Sequence, residues 1–151
     1  MKSKDFKGKK NFNLENWDYN KFIDLMLVHL SGIELEKAAN YECNVRLDSV
    51  VSNDDYKVLV RISLKDLSEN NESYLFFTYN VTKNMIDNVR ATLRGEFSKK
   101  SHVFLKSLED FAKELNCREM RTLSDESFWE ETDWLRFPDG TYRKNLACYL
   151  N

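Results

Sequence analysis

Apolar residues recur three and four apart after Asp18: Phe22, Ile23, Met26, Leu30 and Ile33, with His29 beside them, fall on one stripe of a helix that Asp18 can cap. Gly32 ends or breaks it, and residues 33–40 predict a second short helix with Leu35, Ala38 and Ala39 on one side. The period then changes to two. Val45, Leu47 and Ser49 alternate with Arg46, Asp48 and Val50, and Tyr56, Val58, Val60, Ile62 and Leu64 alternate after Ser52-Asn53-Asp54-Asp55. Two strands joined by that turn make a hairpin. Tyr74 to Val81 is a continuous aromatic and aliphatic run, as expected of a central strand covered on both faces, and Met85 to Leu93 reads as a further strand.

Residues 101–116 carry the strongest helical pattern. Val103, Phe104, Ser107, Leu108, Phe111, Ala112 and Leu115 share one face, opposite Lys106, Glu109, Asp110, Lys113 and Glu114, with Ser98 or Ser101 as cap. Cys117 to Leu123 suits a strand, and Ser124 or Asp125 would cap a second helix containing Phe128, Trp129, Thr132 and Trp134. Pro138-Asp139-Gly140 is a turn into a last alternating strand, Tyr142 to Leu150. The order helix, helix, three or four strands, helix, strand, helix, strand predicts an α/β (α+β) fold. Its mixed, mostly antiparallel central sheet is flanked by helices.

Length and composition narrow the classes. With 151 residues, one proline, 42% hydrophobic and 13% aromatic residues, the chain has the apolar content for one core, and residues 11–151 are expected to form a single domain. Residues 1–10 hold five lysines and little to bury, which predicts a flexible basic tail. A net charge of -2 argues against a dedicated nucleic-acid binder, which needs a cationic excess against phosphate. No apolar run is long enough for a membrane span and none follows the basic start as a signal peptide, so the expectation is a cytoplasmic protein. Cys43, Cys117 and Cys148 are odd in number and widely spaced, which fits reduced thiols and no metal site. The sequons at Asn71 and Asn80 matter only in the secretory pathway. His29 and His102 are too few for a histidine-based nucleophilic centre, and His29 reads as a core histidine. Phe128, Trp129, Trp134 and Phe137 form an aromatic group of the kind that packs.

Three segments carry a family signature. Val89-Arg90-Ala91-Thr92-Leu93-Arg94-Gly95-Glu96-Phe97-Ser98-Lys99 resembles the V-x-P-x-x-R-G-x-G-x-G/A stretch of the GNAT superfamily of N-acetyltransferases. Phe104 to Cys117 looks like that family's following helix, L-L-x-x-x-E-x-x-A-x-x-x-G-C, and Phe128-Trp129-Glu130-Glu131-Thr132-Asp133-Trp134 looks like its F-Y-E-K-L-G-F. The likeness spans roughly residues 85–150. It implies a GNAT-like fold with acetyl-CoA as co-substrate. Its pyrophosphate would lie where a loop enters a helix, near Val89, Arg94, Gly95, Glu96, Phe97, Ser98, Lys99 and Lys100, in a cleft where two parallel strands splay apart. Backbone N–H groups and the helix dipole make such a place favourable to an anion. The implied reaction is acetyl transfer to an amine, on a small molecule or a protein, which needs a base and an acid. Glu72, Glu96 and Glu126 are candidate bases and Tyr74, Tyr79 and Tyr142 candidate acids, while Trp129 stands where the family often has a tyrosine. No motif fixes a catalytic residue. The alternative is a GNAT-like pseudoenzyme that acts as a protein-binding module, for example a phage or mobile-element inhibitor of a host protein. A homodimer and a protein partner both remain open.

Overall fold

The alternating strands pair as a long hairpin: β1 (Tyr41–Ser52) and β2 (Asp55–Asp66) run antiparallel in continuous register from Tyr41↔Asp66 to Ser52↔Asp55. Asn53 and Asp54, both at positive φ, form the two-residue turn, a backbone state that Asn and Asp adopt at low cost. The computed structural model describes residues 17–31 and 41–146. The expected helix at 33–40, Ile33, Cys148 and the 1–10 tail lie outside them.

From the hairpin the chain continues antiparallel into β3 (Asn71–Asn80) and β4 (Met85–Thr92). After a helix it adds β5 (Glu119–Leu123), β6 (Leu135–Arg136) and β7 (Thr141–Asn145). The seven strands lie in the order β1-β2-β3-β4-β5-β7-β6, and only the β4–β5 contact is parallel. The fold is therefore mixed α/β with a mostly antiparallel sheet. The predicted last strand begins at Thr141, and its distal part, 147–150, lies outside the described residues. The sequence reading missed β6, two residues long after Trp134.

One face of the sheet carries the helices. Asp18 caps α1 (Tyr19–Met26) by accepting from the Lys21 N–H at 3.0 Å, and a π-helical turn, Leu27–Ser31, continues it. Phe22, Met26 and Leu30 are buried there, so the three-and-four spacing survives the change of winding. α2 (Ser101–Glu114) buries Phe104, Leu105, Leu108, Phe111 and Ala112. Phe111 meets Phe22 and Phe77 edge-on at 5.5 and 5.8 Å, joining both helices to β3. His29 is half-buried between the helices, with Nε2 2.9 Å from Glu114. Cys117 is buried, which pushes its thiol up to about 12, and Cys43 is half-buried.

Three expectations need correcting. β3 is buried on both faces only from Phe77 to Asn80; earlier in the strand Ser73 and Leu75 are buried, whereas Tyr74 and Phe76 on the other face are half-buried. On that second face the Arg61 guanidinium lies over the Tyr74 ring at 4.6 Å and within 5.9 Å of the Phe76 ring, and so shields both aromatics. The helix expected from Phe128 to Trp134 is a single 3-10 turn, Ser127–Glu131, after an uncapped Glu126. Thr132 stops it: its Oγ1 donates to the Trp129 carbonyl and accepts from the Trp134 N–H. Phe137 leaves the aromatic group for the surface, where Arg143 stacks on it at 4.1 Å.

A buried polar knot fixes this region to α2. Glu109 accepts from Trp134 Nε1 at 2.8 Å and from Lys144 Nζ at 3.0 Å, and Lys144 also pairs with Asp133 at 2.9 Å. Burial works against the Lys144 charge, yet the carboxylates of Asp133 and Glu109 outweigh it and hold its pKa above the usual lysine value. Replacing Lys144 by Met leaves the Glu109 carboxylate buried without its cation, and the expected cost is about 3 kcal/mol. The double variant Lys144→Met, Glu109→Gln should recover part of it in urea unfolding, because Gln still accepts from Trp134.

A second knot lies where β2 follows the turn. Asp55 accepts from Asn80 Nδ2 at 2.9 Å and faces Lys83 Nζ at 3.4 Å, which hold its carboxyl below the usual carboxylate range. A lowered folded pKa gives stability that is present above the unfolded pKa and lost as pH falls through the folded one. The expected result is that Asp55→Asn flattens the decline of Tm between about pH 5 and pH 3.

Candidate functional site

Parallel pairing of β4 with β5 covers only Met85↔Glu119 and Ile86↔Met120. Two residues on, Asn88 adopts φ +53 and the β3–β4 register slips by one, so that Asn88 and Val89 together oppose Phe77. This is a β-bulge, which bends and twists the bulged strand. Asn tolerates the left-handed state, so the local cost is small. Beyond the bulge, β4 pairs with β3 alone, since its ladder with β5 ends at Ile86. A single side chain bridges the divergence. Thr122, buried on β5, donates its hydroxyl to the Val89 carbonyl at 2.8 Å.

Where the strands part, a cavity of about 80 Å³ opens to the surface. Val89 and Ala91 of β4, Phe104 and Leu108 of α2, and Phe128 and Trp129 of the 3-10 turn supply its apolar wall. Arg90, Ser101 and Glu126 add the polar groups. Trp129 is buried, 4.6 Å from Trp134 and 6.2 Å from Tyr142 between ring centroids.

The loop out of β4 runs from Ala91 to Ser101, the cavity-lining residues on either side of it. Arg94 is anchored to β3 through Ser73, whose Oγ accepts from the Arg94 N–H at 2.8 Å and donates to its carbonyl at 3.3 Å. Gly95 follows at φ +60, and a Cβ there would come within 2.9 Å of Asn71 Nδ2, so glycine suits both the conformation and the space. Gly95–Phe97 makes one 3-10 turn. Phe97 points inward, 2% exposed and 6.2 Å from Phe104, so its ring is part of the core and does not line the loop's outer surface. Arg94, Ser98 and Lys99 are exposed and Lys100 is half-buried. The α2 cap is Lys100, with no side-chain bond to the helix, which corrects the expectation of Ser98 or Ser101. Phe104 makes the first backbone bond, to the Lys100 carbonyl at 2.9 Å. The N–H groups of Ser101, His102 and Val103 are thus the helix's initial donors, and the first turn holds no acidic residue. Ser101 places that end at the cavity.

The predicted cofactor segment is therefore split. Val89 lines the cavity from β4 with its carbonyl taken by Thr122, while Arg94, Ser98, Lys99 and Lys100 surround the entry to α2. Among the candidate bases, Glu126 lines the cavity. Glu72 is bonded to the Tyr74 hydroxyl on the face without described helices. Tyr79 lies toward the other end of β4, opposite Ile86, where burial raises its pKa and its hydroxyl donates to Asn84 at 2.7 Å. Tyr142 is buried beside Trp129 on β7 and does not line the cavity. The sequence reading missed Thr122 and the Asn88 bulge: a threonine in a strand carries no signal of its own, and an asparagine reads equally well as a turn residue.

Among the described residues no helix is long and apolar enough to cross a membrane. No protein-family model, curated protein or solved structure matches the chain. Changing Thr122 to Val keeps the shape but leaves the Val89 carbonyl without its donor. The expected outcome is a loss of about 1–2 kcal/mol, read as a lower urea midpoint at unchanged slope.

Proposed function

We propose that this cleft takes acetyl-CoA and that the chain is a GNAT-like N-acetyltransferase acting on an amine, on a small molecule or a protein. The observation that carries the reading is the divergence of two parallel strands after two pairs, next to a glycine-bearing loop that enters an uncapped helix. That is the cleft implied by the likeness of Val89 to Lys99, Phe104 to Cys117 and Phe128 to Trp134. The group fits the residues in one concrete respect. Phe97 is turned into the core, so its ring does not block the outer surface of the loop, where Arg94, Lys99 and Lys100 supply cations and the first α2 amides supply donors.

When bound, acetyl-CoA supplies an acetyl group activated as a thioester. The chain's own part is to exclude water with Val89, Phe104, Phe128 and Trp129, and to hold the diphosphate at the helix entry. Glu126 is the carboxylate placed to take a proton from the incoming amine, directly or through a water. Trp129 contributes shape alone, because an indole N–H donates a hydrogen bond but does not release a proton at neutral pH.

A second reading rests on Thr122. Its hydroxyl already occupies the Val89 carbonyl just beyond the point where the strands part, which favours a GNAT-like chain that has given up the cofactor and works as a protein-binding module. Thermal unfolding with and without acetyl-CoA separates the two. A ligand that binds only the native state at a hundred times its Kd adds about 2.7 kcal/mol, an increase in Tm of roughly 5–11 °C for this size. The acyltransferase reading expects that increase, and expects Arg94→Ala with Lys99→Ala to abolish it without lowering the unliganded Tm. No shift at millimolar acetyl-CoA sinks the enzyme and leaves the binding module.

A further inference from the structure

Among the described residues β1 is the edge of the sheet, bonded to β2 alone, and every second of its twelve residues presents backbone N–H and C=O on its outer side. Natural edges are blunted by proline, by a bulge, by charged side chains, by a covering element or by being short. Among the described residues β1 has only the charges, and Glu42, Arg46 and Asp48 all lie on the face away from the helices. It holds no proline, its register with β2 is unbroken over its whole length, and the residues on the helix-bearing face are Cys43, Val45, Leu47, Ser49 and Val51. Cys43, Val45 and Leu47 pack on the core yet stay half-buried, as they would if a neighbour were to complete their cover. Val50 and Val51 are each 39% exposed.

We propose that β1 pairs antiparallel with β1 of a second copy of this chain, about a two-fold axis at Leu47, to make one sheet continuous through both copies. The charges on the opposite face select that register. Glu42, Arg46 and Asp48 lie there, with Arg46 Nε 3.4 Å from Asp48 within the chain. Residues that oppose each other across an antiparallel pair share a face, so the axis falls on a residue and each register can be checked in turn. An axis at Val45 sets Glu42 against Asp48 of the partner copy, an axis at Arg46 sets the two arginines together, and an axis at Asp48 sets the two aspartates together. Axes at Cys43 or Asn44 pair only the first part of the strand and axes at Ser49 or Val50 only the last, and of these only the axis at Asn44 joins opposite charges, Glu42 to Arg46. The axis at Leu47 pairs residues 42–52 throughout and sets each Arg46 against Asp48 of the partner copy. On the helix-bearing face it brings the two Leu47 side chains together, Val45 to Ser49 and Cys43 to Val51.

Sedimentation of the full chain tests this. The expected species has twice the 18.0 kDa chain mass. Arg46→Glu and Asp48→Arg each place like charges across the axis twice, and each should weaken dimerisation about tenfold or more. Mixed together, the two variants should form a heterodimer, because both carboxylates of the first variant then face arginines of the second, and a purely structural defect would not be rescued in this way. Val51→Cys gives a second measurement that reads the register: with diamide as oxidant it should cross-link to Cys43 of the partner copy, and Cys43→Ser should abolish the link. A single 18.0 kDa species at all concentrations overturns the proposal. So does a chain that dimerises only when residues 1–16 are removed, since its own terminus then covers the edge. A dimer insensitive to both charge variants, or one that fails to cross-link, overturns the interface.

Discussion

One inserted residue organises the sheet. With Asn88 in the left-handed region, β4 keeps its antiparallel bonds to β3 on one side but ends its ladder with β5 on the other after only two pairs. A regular β4 would zip against β5 along its length and leave no space between them. The bulge exchanges that ladder for one side-chain bond, Thr122 to the Val89 carbonyl, and for an apolar cavity floored by α2. Such an opening is stable only if its rim is held from elsewhere. Two clamps do this: Ser73 fixes the Arg94 backbone from β3, and Glu109 ties Trp134 and Lys144 to α2.

The two faces of the sheet are stabilised by different means. On the helix-bearing face, Phe22, Phe77, Phe104 and Phe111 give a continuous aromatic and aliphatic core. Elsewhere the aromatics are covered by cations: Arg61 spans Tyr74 and Phe76, and Arg143 lies on Phe137. A guanidinium is a flat, weakly hydrated group that can shield a ring while keeping its own charge near water. This explains how a sheet of seven described strands keeps Phe76 and Tyr74 from full exposure on the side where none of the described helices lies.

The same distinction explains which parts of the fold were legible. Tyr56 to Leu64, Val45 to Val50 and the Phe104 to Leu115 face follow simple periods because each buries one side against the same core. The run from Tyr74 to Val81 is covered on both faces at Phe77 to Asn80, but at Tyr74 and Phe76 hydrophobicity alone does not reveal that an arginine on the neighbouring strand provides the cover. The Phe128 to Trp134 segment has helical spacing, yet Thr132 satisfies the Trp129 carbonyl with its side chain, and Trp134 is drawn to Glu109 from another element. The arginine cover and the pull of Glu109 both come from partners distant in sequence, which no local pattern contains. The helix-entry cations were visible as Arg94, Lys99 and Lys100, whereas the cavity that Ser101 lines depends on Asn88 and Thr122, two residues of ordinary type.

The loop before α2 illustrates how a substitution's effect turns on direction rather than size. Glycine in such a loop would let the backbone be approached closely, and Phe97 is a large side chain at a position two residues after Gly95. The single 3-10 turn at Gly95–Phe97 rotates the phenylalanine under the loop, where it packs on Phe104 and fastens the loop to the helix it precedes. Gly95 is the loop residue whose backbone is left-handed and whose Cβ would press on Asn71. Glycine therefore stands where the geometry requires it, and Phe97 supplies an anchor where the loop turns inward. A loop built in this way holds its amides by packing instead of by backbone freedom.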